Sequence, residues 1–302
     1  MQYKKTLKNM LFTLIIIGTL ILIYDIYISI SIKQEENKRL SDAELQSVLS
    51  EIFVLGEPEQ PATLLLHGFG GSPYDMKPLS DILSAQGRTV LVPCIAGHCE
   101  KSPRDLAKSD PIQWIFSAED ALERITSAGH KDIDVVGFSL GGILATVLAK
   151  NSSVRKVVLI NPYTEVPYKW YYIIPVRMWK KILGTVVPYI KKLSSGQIND
   201  SIGRELYEPS YLHLSTKSTN DLDRFSDLIW KNIKAINKPI LFIYSINDNV
   251  SSPSKMKQIA QLMSKHINIF SVNKSAHIIL HDKDKEIVIN SILDFLNINK
   301  QD

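Results

Sequence analysis

The sequence predicts an α/β protein: a mostly parallel sheet with helices on both faces, an inserted helical cap and an N-terminal transmembrane helix. Three observations predict it. From residue 63 onward, short apolar runs alternate with segments of helical periodicity, and continuously apolar strands belong to sheets buried on both faces. The stretch 162–238 breaks that alternation and is too long for a structureless loop in a compact domain. Finally, Leu11 to Ile32 is nearly unbroken apolar sequence, close to the roughly 20 residues that a spanning helix needs.

The apolar run is preceded by Lys4, Lys5 and Lys8, and its one charged residue is Asp25. A carboxylate near the end of a span costs much less than one at its centre. A cleaved signal peptide and a core helix are the competing readings. Ser29-Ile30-Ser31 is a poor cleavage site, and no cysteine follows closely to carry a lipid. Lys33, Lys38 and Arg39 follow the run, so the positive-inside count is nearly tied. The short basic start still resembles an export signal, which favours a single-pass anchor with the remaining chain on the extracytoplasmic side. The expected organisation is an anchor over 1–32, a stalk over 33–50 and a globular domain over 51–302, with the cap insertion at about 162–238.

In the domain, Ile52-Phe53-Val54-Leu55 is an edge strand, and Thr63-Leu64-Leu65-Leu66 is a buried one that ends in His67-Gly68-Phe69-Gly70-Gly71. Ser72 and Pro73 open a helix that carries Leu79, Ile82 and Leu83 on one face and stops at Gly87. Thr89–Val92 is the next strand, and Asp110-Pro111 opens another helix. Further strands follow at Ile133–Val136, Val157–Ile160, Pro239–Tyr244 and Ile267–Val272, the last two separated by a helix marked by Met256, Ile259, Ala260 and Met263. Val288, Ile292 and Leu296 mark the closing helix. The cap carries Trp170, Tyr171, Tyr172, Ile173, Ile174, Trp179, Ile182, Leu183, Val186 and Val187, with lysines among them.

The formal net charge is only +4, and Lys and Arg are scattered among acidic residues. No basic stripe interleaved with aromatics suggests a nucleic-acid partner. Two cysteines, Cys94 and Cys99, do not make a metal site. They are a disulfide in an oxidising compartment or two thiols in a reducing one.

The chemistry centres on Gly137-Phe138-Ser139-Leu140-Gly141, a Gly-x-Ser-x-Gly pattern between an apolar strand and an apolar helix. A serine on so sharp a turn needs small neighbours, and it emerges exposed at a helix N-terminus. A serine hydroxyl needs a base, and the base needs an orienting group. In this kind of sheet the partners follow in the order serine, acid, histidine. Asp248 and His277 satisfy that order, each just beyond an apolar strand, where functional groups of parallel sheets gather. Competing acids are Asp282, then Asp221 and Asp223; competing histidines are His281, His266, His130 and His213. The oxyanion donors are expected to be the backbone amides of Leu140, after the nucleophile, and Phe69, in the earlier loop. His67 is expected to shape that loop.

These residues carry a resemblance. His67-Gly68-Phe69, Gly97-His98, Gly137–Gly142, Asp248-Asn249-Val250 and Ser275–Asp282 resemble the α/β-hydrolase superfamily, and within it the bacterial carboxylesterase and monoacylglycerol lipase group. The likeness spans about Thr63 to Asn297; the cap matches only in place and size. It implies Ser139, Asp248 and His277 as catalytic triad and Phe69 and Leu140 as oxyanion donors. It also implies an ester or lipid substrate cleaved through an acyl-enzyme, with no metal or organic cofactor. The apolar, aromatic cap favours an acyl chain, and its lysines suggest contact with a membrane. A thioesterase, lactonase or peptidase on the same fold, or a non-catalytic hydrolase-like binding protein, are the alternatives.

Overall fold

The computed structural model describes residues 2–169, 174–184, 186–192, 197–207, 211–233, 236–263 and 267–297. Trp170, Tyr171, Tyr172, Ile173 and His266 lie outside them. Among the described residues the strands are β1 Ile52–Val54, β2 Ala62–Leu66, β3 Val90–Val92, β4 Ile133–Phe138, β5 Val154–Ile160, β6 Tyr189–Lys191, β7 His213–Ser215, β8 Ile240–Ser245 and β9 Ile267–Val272. The α-helices are α1 Gln2–Ser41, α2 Ala43–Val48, α3 Lys77–Ala85, α4 Pro103–Lys108, α5 Pro111–Ser127, α6 Leu140–Leu148, α7 Val176–Leu183, α8 Ser201–Leu206, α9 Thr216–Lys231, α10 Pro253–Leu262 and α11 Lys285–Leu296.

The main sheet runs β1-β3-β2-β4-β5-β8-β9. Only β1, at the edge beside β3, is antiparallel. The other neighbours are parallel. Side chains alternate across a strand, and the core divides accordingly. Leu64, Leu66 and Val135 face one layer with Trp114, Leu122, Ile143 and Phe225. Leu65 and Val136 face the other with Leu79, Leu83, Val288 and Ile292. Every residue of β2 and β4 is buried, as expected for strands with helices on both faces. Asp110 caps α5 through a capping box with Gln113. Ser72 caps a single 3₁₀ turn, Pro73–Met76, and the regular helix α3 begins at Lys77.

The order reverses at β2, with β3 on one side and β4 on the other. Such a switch point opens a crevice at the carboxyl ends of the strands. The loop after β2 therefore lies beside the end of β4, followed by the ends of β5, β8 and β9.

The insertion is helical, as its composition predicts, but it also holds an antiparallel ribbon, β6 with β7, pairing Ile190 with Leu214 and Lys191 with His213. Its last helix, α9, packs into the sheet's core through Leu222, Phe225 and Trp230. At the other end of the chain, α1 runs unbroken to Ser41. It is long and apolar enough to cross a membrane by length and composition, with a mean hydropathy of 2.3 over its most apolar 18 residues.

Candidate active site

Ser139 sits between β4 and α6 with φ 54° and ψ −112°. A non-glycine residue in that region is strained and needs surrounding structure to hold it. The neighbours supply the hold. A Cβ at Gly137 would fall 2.1 Å from the Gly141 oxygen, and one at Gly141 would fall 2.0 Å from the Leu66 oxygen. Only glycines let the turn close this tightly against β2. The Gly141 N–H then donates to the His67 oxygen at 3.1 Å, and the Ser139 N–H to the Ile160 oxygen at 3.0 Å. The turn is thereby tied to the strands on both sides.

His277 lies on the loop after β9. Its Nε2 is 3.1 Å from Ser139 Oγ, and its Nδ1 is 2.7 Å from Asp248 Oδ2. The other Asp248 oxygen accepts from the Val250 and Ser251 amides at 2.8 and 2.9 Å. All three side chains are buried. The Phe138 ring lies 5.0 Å from the imidazole. Ser139, Asp248 and His277, drawn from three strand ends, are thus brought together.

The competing residues are placed elsewhere. Asp282 accepts from the amides of Ala276, Asn199 and Asp200 at 2.7–2.8 Å, so it supports the His277 loop from behind. Asp221 pairs with Lys217, and Asp223 with Tyr163 and Lys180. His213 pairs with Glu35, and His281 stacks on Tyr74. Asn161 is a support that the sequence did not reveal. It is in the left-handed region with φ 40°. Its amide donates to the Ala276 and His277 oxygens at 3.2 and 2.7 Å, and its Oδ1 accepts from Ser245 N–H at 2.7 Å. One side chain therefore joins the ends of β5 and β8 to the histidine loop.

Phe69 and Leu140 flank the serine, and each keeps a backbone N–H with no acceptor among the described residues. His67 shapes the Phe69 loop. Its Nε2 accepts from Ile95 N–H at 3.1 Å and its Nδ1 faces the Gly68 oxygen at 2.9 Å. Burial, helped by neighbouring His98, pushes its pKa down to about 3, so the ring is neutral and donates through Nδ1. Burial likewise pushes His98 down to about 4.

The cavity above Ser139 and His277 has an apolar wall that includes Phe69, Val166, Val176, Leu214, Leu222 and Ile278. It also has a polar patch of Asp75, Lys192, Gln197 and Tyr207. Asp75 accepts from Gly68 N–H at 3.1 Å and from Tyr207 O–H at 2.5 Å. Burial raises the Asp75 pKa, and burial together with Asp75 raises that of Tyr207. Burial lowers Lys192. No cluster of His, Cys, Asp and Glu able to hold a metal occurs among the described residues.

Comparisons with known proteins agree with this architecture. The family described as Hydrolase_4, serine aminopeptidase S33, matches residues 57–284. A carboxylesterase of Bacillus subtilis (strain 168) is 25% identical over 241 residues, covering 78% of this chain and 92% of that protein. A thermostable monoacylglycerol lipase of Bacillus sp. (strain H-257) is 27% identical over 234 residues, covering 77% and 88%. A solved structure of a soluble variant of monoglyceride lipase from Saccharomyces cerevisiae, with a substrate analogue, shares the fold at a TM-score of 0.70 and 19% identity, covering 83% of this chain and 92% of that one. The chain therefore belongs to the Hydrolase_4 family of α/β-hydrolases and is a hydrolase of the lipase and esterase type.

Proposed function

We propose that the chain is a serine hydrolase of carboxylic esters, with acyl-glycerols or similar lipid-like esters as substrates. The observation that carries this reading is the continuous line of hydrogen-bond distances from Ser139 Oγ through His277 to Asp248. His277 Nε2 takes the serine proton as Oγ attacks the ester carbonyl. The amides of Phe69 and Leu140 hold the oxyanion, and each such donor is worth about 2.7–4 kcal/mol in the transition state. The protonated imidazole returns its proton to the departing alcohol. It then activates a water that releases the acid from the acyl-enzyme, while Asp248 holds the Nδ1–H tautomer and stabilises the charged ring. The apolar cavity wall favours an acyl chain, and the names of the two bacterial relatives support an ester.

Labelling by a fluorophosphonate, lost in Ser139→Ala, tests the nucleophile. A folded wild-type protein that takes no label would refute the enzyme reading in favour of a hydrolase-like binding protein. A panel of acyl esters, thioesters, lactones and aminoacyl amides tests the substrate class; preference for the amides would replace the esterase with a peptidase.

The apolar half of α1 is read as a single-pass anchor, with the catalytic domain on the extracytoplasmic side. Cys94 and Cys99, paired at a sequence separation of five, suit an oxidising compartment. Retention in membranes after alkaline washing tests the anchor, and protease protection in sealed vesicles tests the side.

A further inference from the structure

Helix α1 meets the catalytic domain along one stripe. Ile28, Ile32, Glu35 and Arg39 recur at helical spacings of three and four, and all four are buried. Burial of the last two is unexpected, because the sequence reads that segment as a stalk between anchor and domain. Each charge is held by specific partners. Glu35 Oε1 accepts from Leu212 N–H at 2.9 Å, and Oε2 meets His213 Nδ1 at 2.7 Å. Arg39 donates to the Glu100 oxygen at 3.1 Å, and its guanidinium lies 4.3 Å from the centre of the Tyr211 ring. Glu35 and Arg39 also pair with each other at 3.7 Å; desolvation consumes much of what a buried ion pair returns, so this pair is better suited to fixing one arrangement than to adding stability.

The arrangement it fixes is the ribbon. Successive strand residues face opposite sides. His213 turns to α1, and Leu214, the next residue, lines the cavity with its cross-strand partner Ile190. Leu214 also sits on the Phe69 loop: a Cβ at Gly70 would fall 2.7 Å from its Cδ2. Tyr211 N–H donates to the Gly70 oxygen at 3.2 Å. A contiguous set of bonded and packed groups therefore runs from Glu35 to the residue after Phe69.

We propose that Glu35 and Arg39 are positioning residues for the hydrolysis, acting through Tyr211–Leu214 to hold the cavity wall and the Phe69 loop. The N-terminal helix is then part of the active site's support as well as its tether. The proposal rests on the serine-hydrolase reading above.

The test uses the full chain in detergent micelles: wild type, Glu35→Ala, Glu35→Gln and Arg39→Gln, with short- and long-chain p-nitrophenyl esters. Rates are taken per serine labelled by a fluorophosphonate. Glu35→Ala is expected to raise KM for the long-chain ester and to lower its kcat/KM relative to the short-chain ester by about tenfold, in line with loss of one hydrogen bond to a charged group. Glu35→Gln keeps an oxygen for Leu212 N–H and recovers most of that ratio; Arg39→Gln shifts it in the same direction as Glu35→Ala. If Glu35→Ala does not fold, the other two variants carry the comparison. A helix that only stabilises the fold would lower the melting temperature and the number of labelled serines, with the chain-length ratio per labelled serine unchanged. That result would overturn the proposal. Absence of label in folded wild type would instead refute the serine reading itself.

Discussion

Asp248 divides its carboxylate between two tasks: one oxygen meets His277 Nδ1 at 2.7 Å, and the other is held by the Val250 and Ser251 amides. Asp248→Asn keeps its oxygen for those amides but turns an N–H donor toward His277 Nδ1. The imidazole then loses its preferred tautomer and the stabilisation of its charged form. We expect a folded protein with kcat lowered by roughly 10⁴-fold. An ester-hydrolysis rate within tenfold of wild type would assign the orienting acid elsewhere.

The backbone at Ser139 makes a second prediction. Its φ of 54° suits glycine, and strain of this kind costs about 1–3 kcal/mol, against roughly 0.5–1 kcal/mol for the greater freedom of an unfolded glycine. Both Ser139→Ala and Ser139→Gly remove the hydroxyl. The glycine variant should melt at the higher temperature; an alanine variant of equal or greater stability would show the turn to be unstrained.

Acid should destabilise the fold through His67 and His98. Their folded pKa values, about 3 and about 4, lie below the usual 6.5, so the unfolded chain binds protons that the folded chain does not. Their contribution is complete above pH 6.5 and is lost as pH falls toward 4 for His98 and toward 3 for His67. Each ring costs about 1.4 kcal/mol per pH unit over that window. Thermal melts from pH 7 to pH 4 should show the decline. His67→Gln, which can still offer an acceptor and a donor, should make it shallower; a decline of undiminished slope would remove His67 as its source.

Asp134 tests the far end of β4. It is fully buried between Arg88, itself buried, and Arg155, with contacts of 2.6 Å to each. Asp134→Asn leaves the Arg88 guanidinium buried without its counter-charge and should cost about 3–5 kcal/mol in denaturant unfolding. At 3.3 Å per residue the position is about 16 Å from Ser139, so the turnover per labelled serine should match wild type. A stability loss below about 1 kcal/mol would mean that Arg88 finds water or another partner.

What could be read from the sequence followed from short-range physics. The serine turn is local: β-branched strand, close-packed glycines, apolar helix. Asp248 and His277 are legible as candidates because chain order and strand ends constrain them, and the structure places both within hydrogen-bond reach of one another. Asn161 carries no local signal, because its role lies in contacts to residues 84 to 116 positions away. Asp282 reads as a rival acid in the sequence, since its task of holding the amides of Asn199, Asp200 and Ala276 depends on loops brought together by folding. The ribbon in the cap is two strands of three residues each, too short to show a period. The burial of Glu35 and Arg39, placed by the sequence in a stalk, is not legible locally because their partners, Leu212, His213 and Glu100, lie 61 to 178 residues further along.

Helix α1 has 40 residues and no break, a rod of about 60 Å at 1.5 Å per residue. One half is exposed and apolar, and the other is bound to the ribbon. With no hinge between the halves, any tilt of the exposed half is shared by the bound half. The pose of the hydrolase relative to whatever surrounds that apolar half is therefore a matter of one angle, independent of linker length or composition.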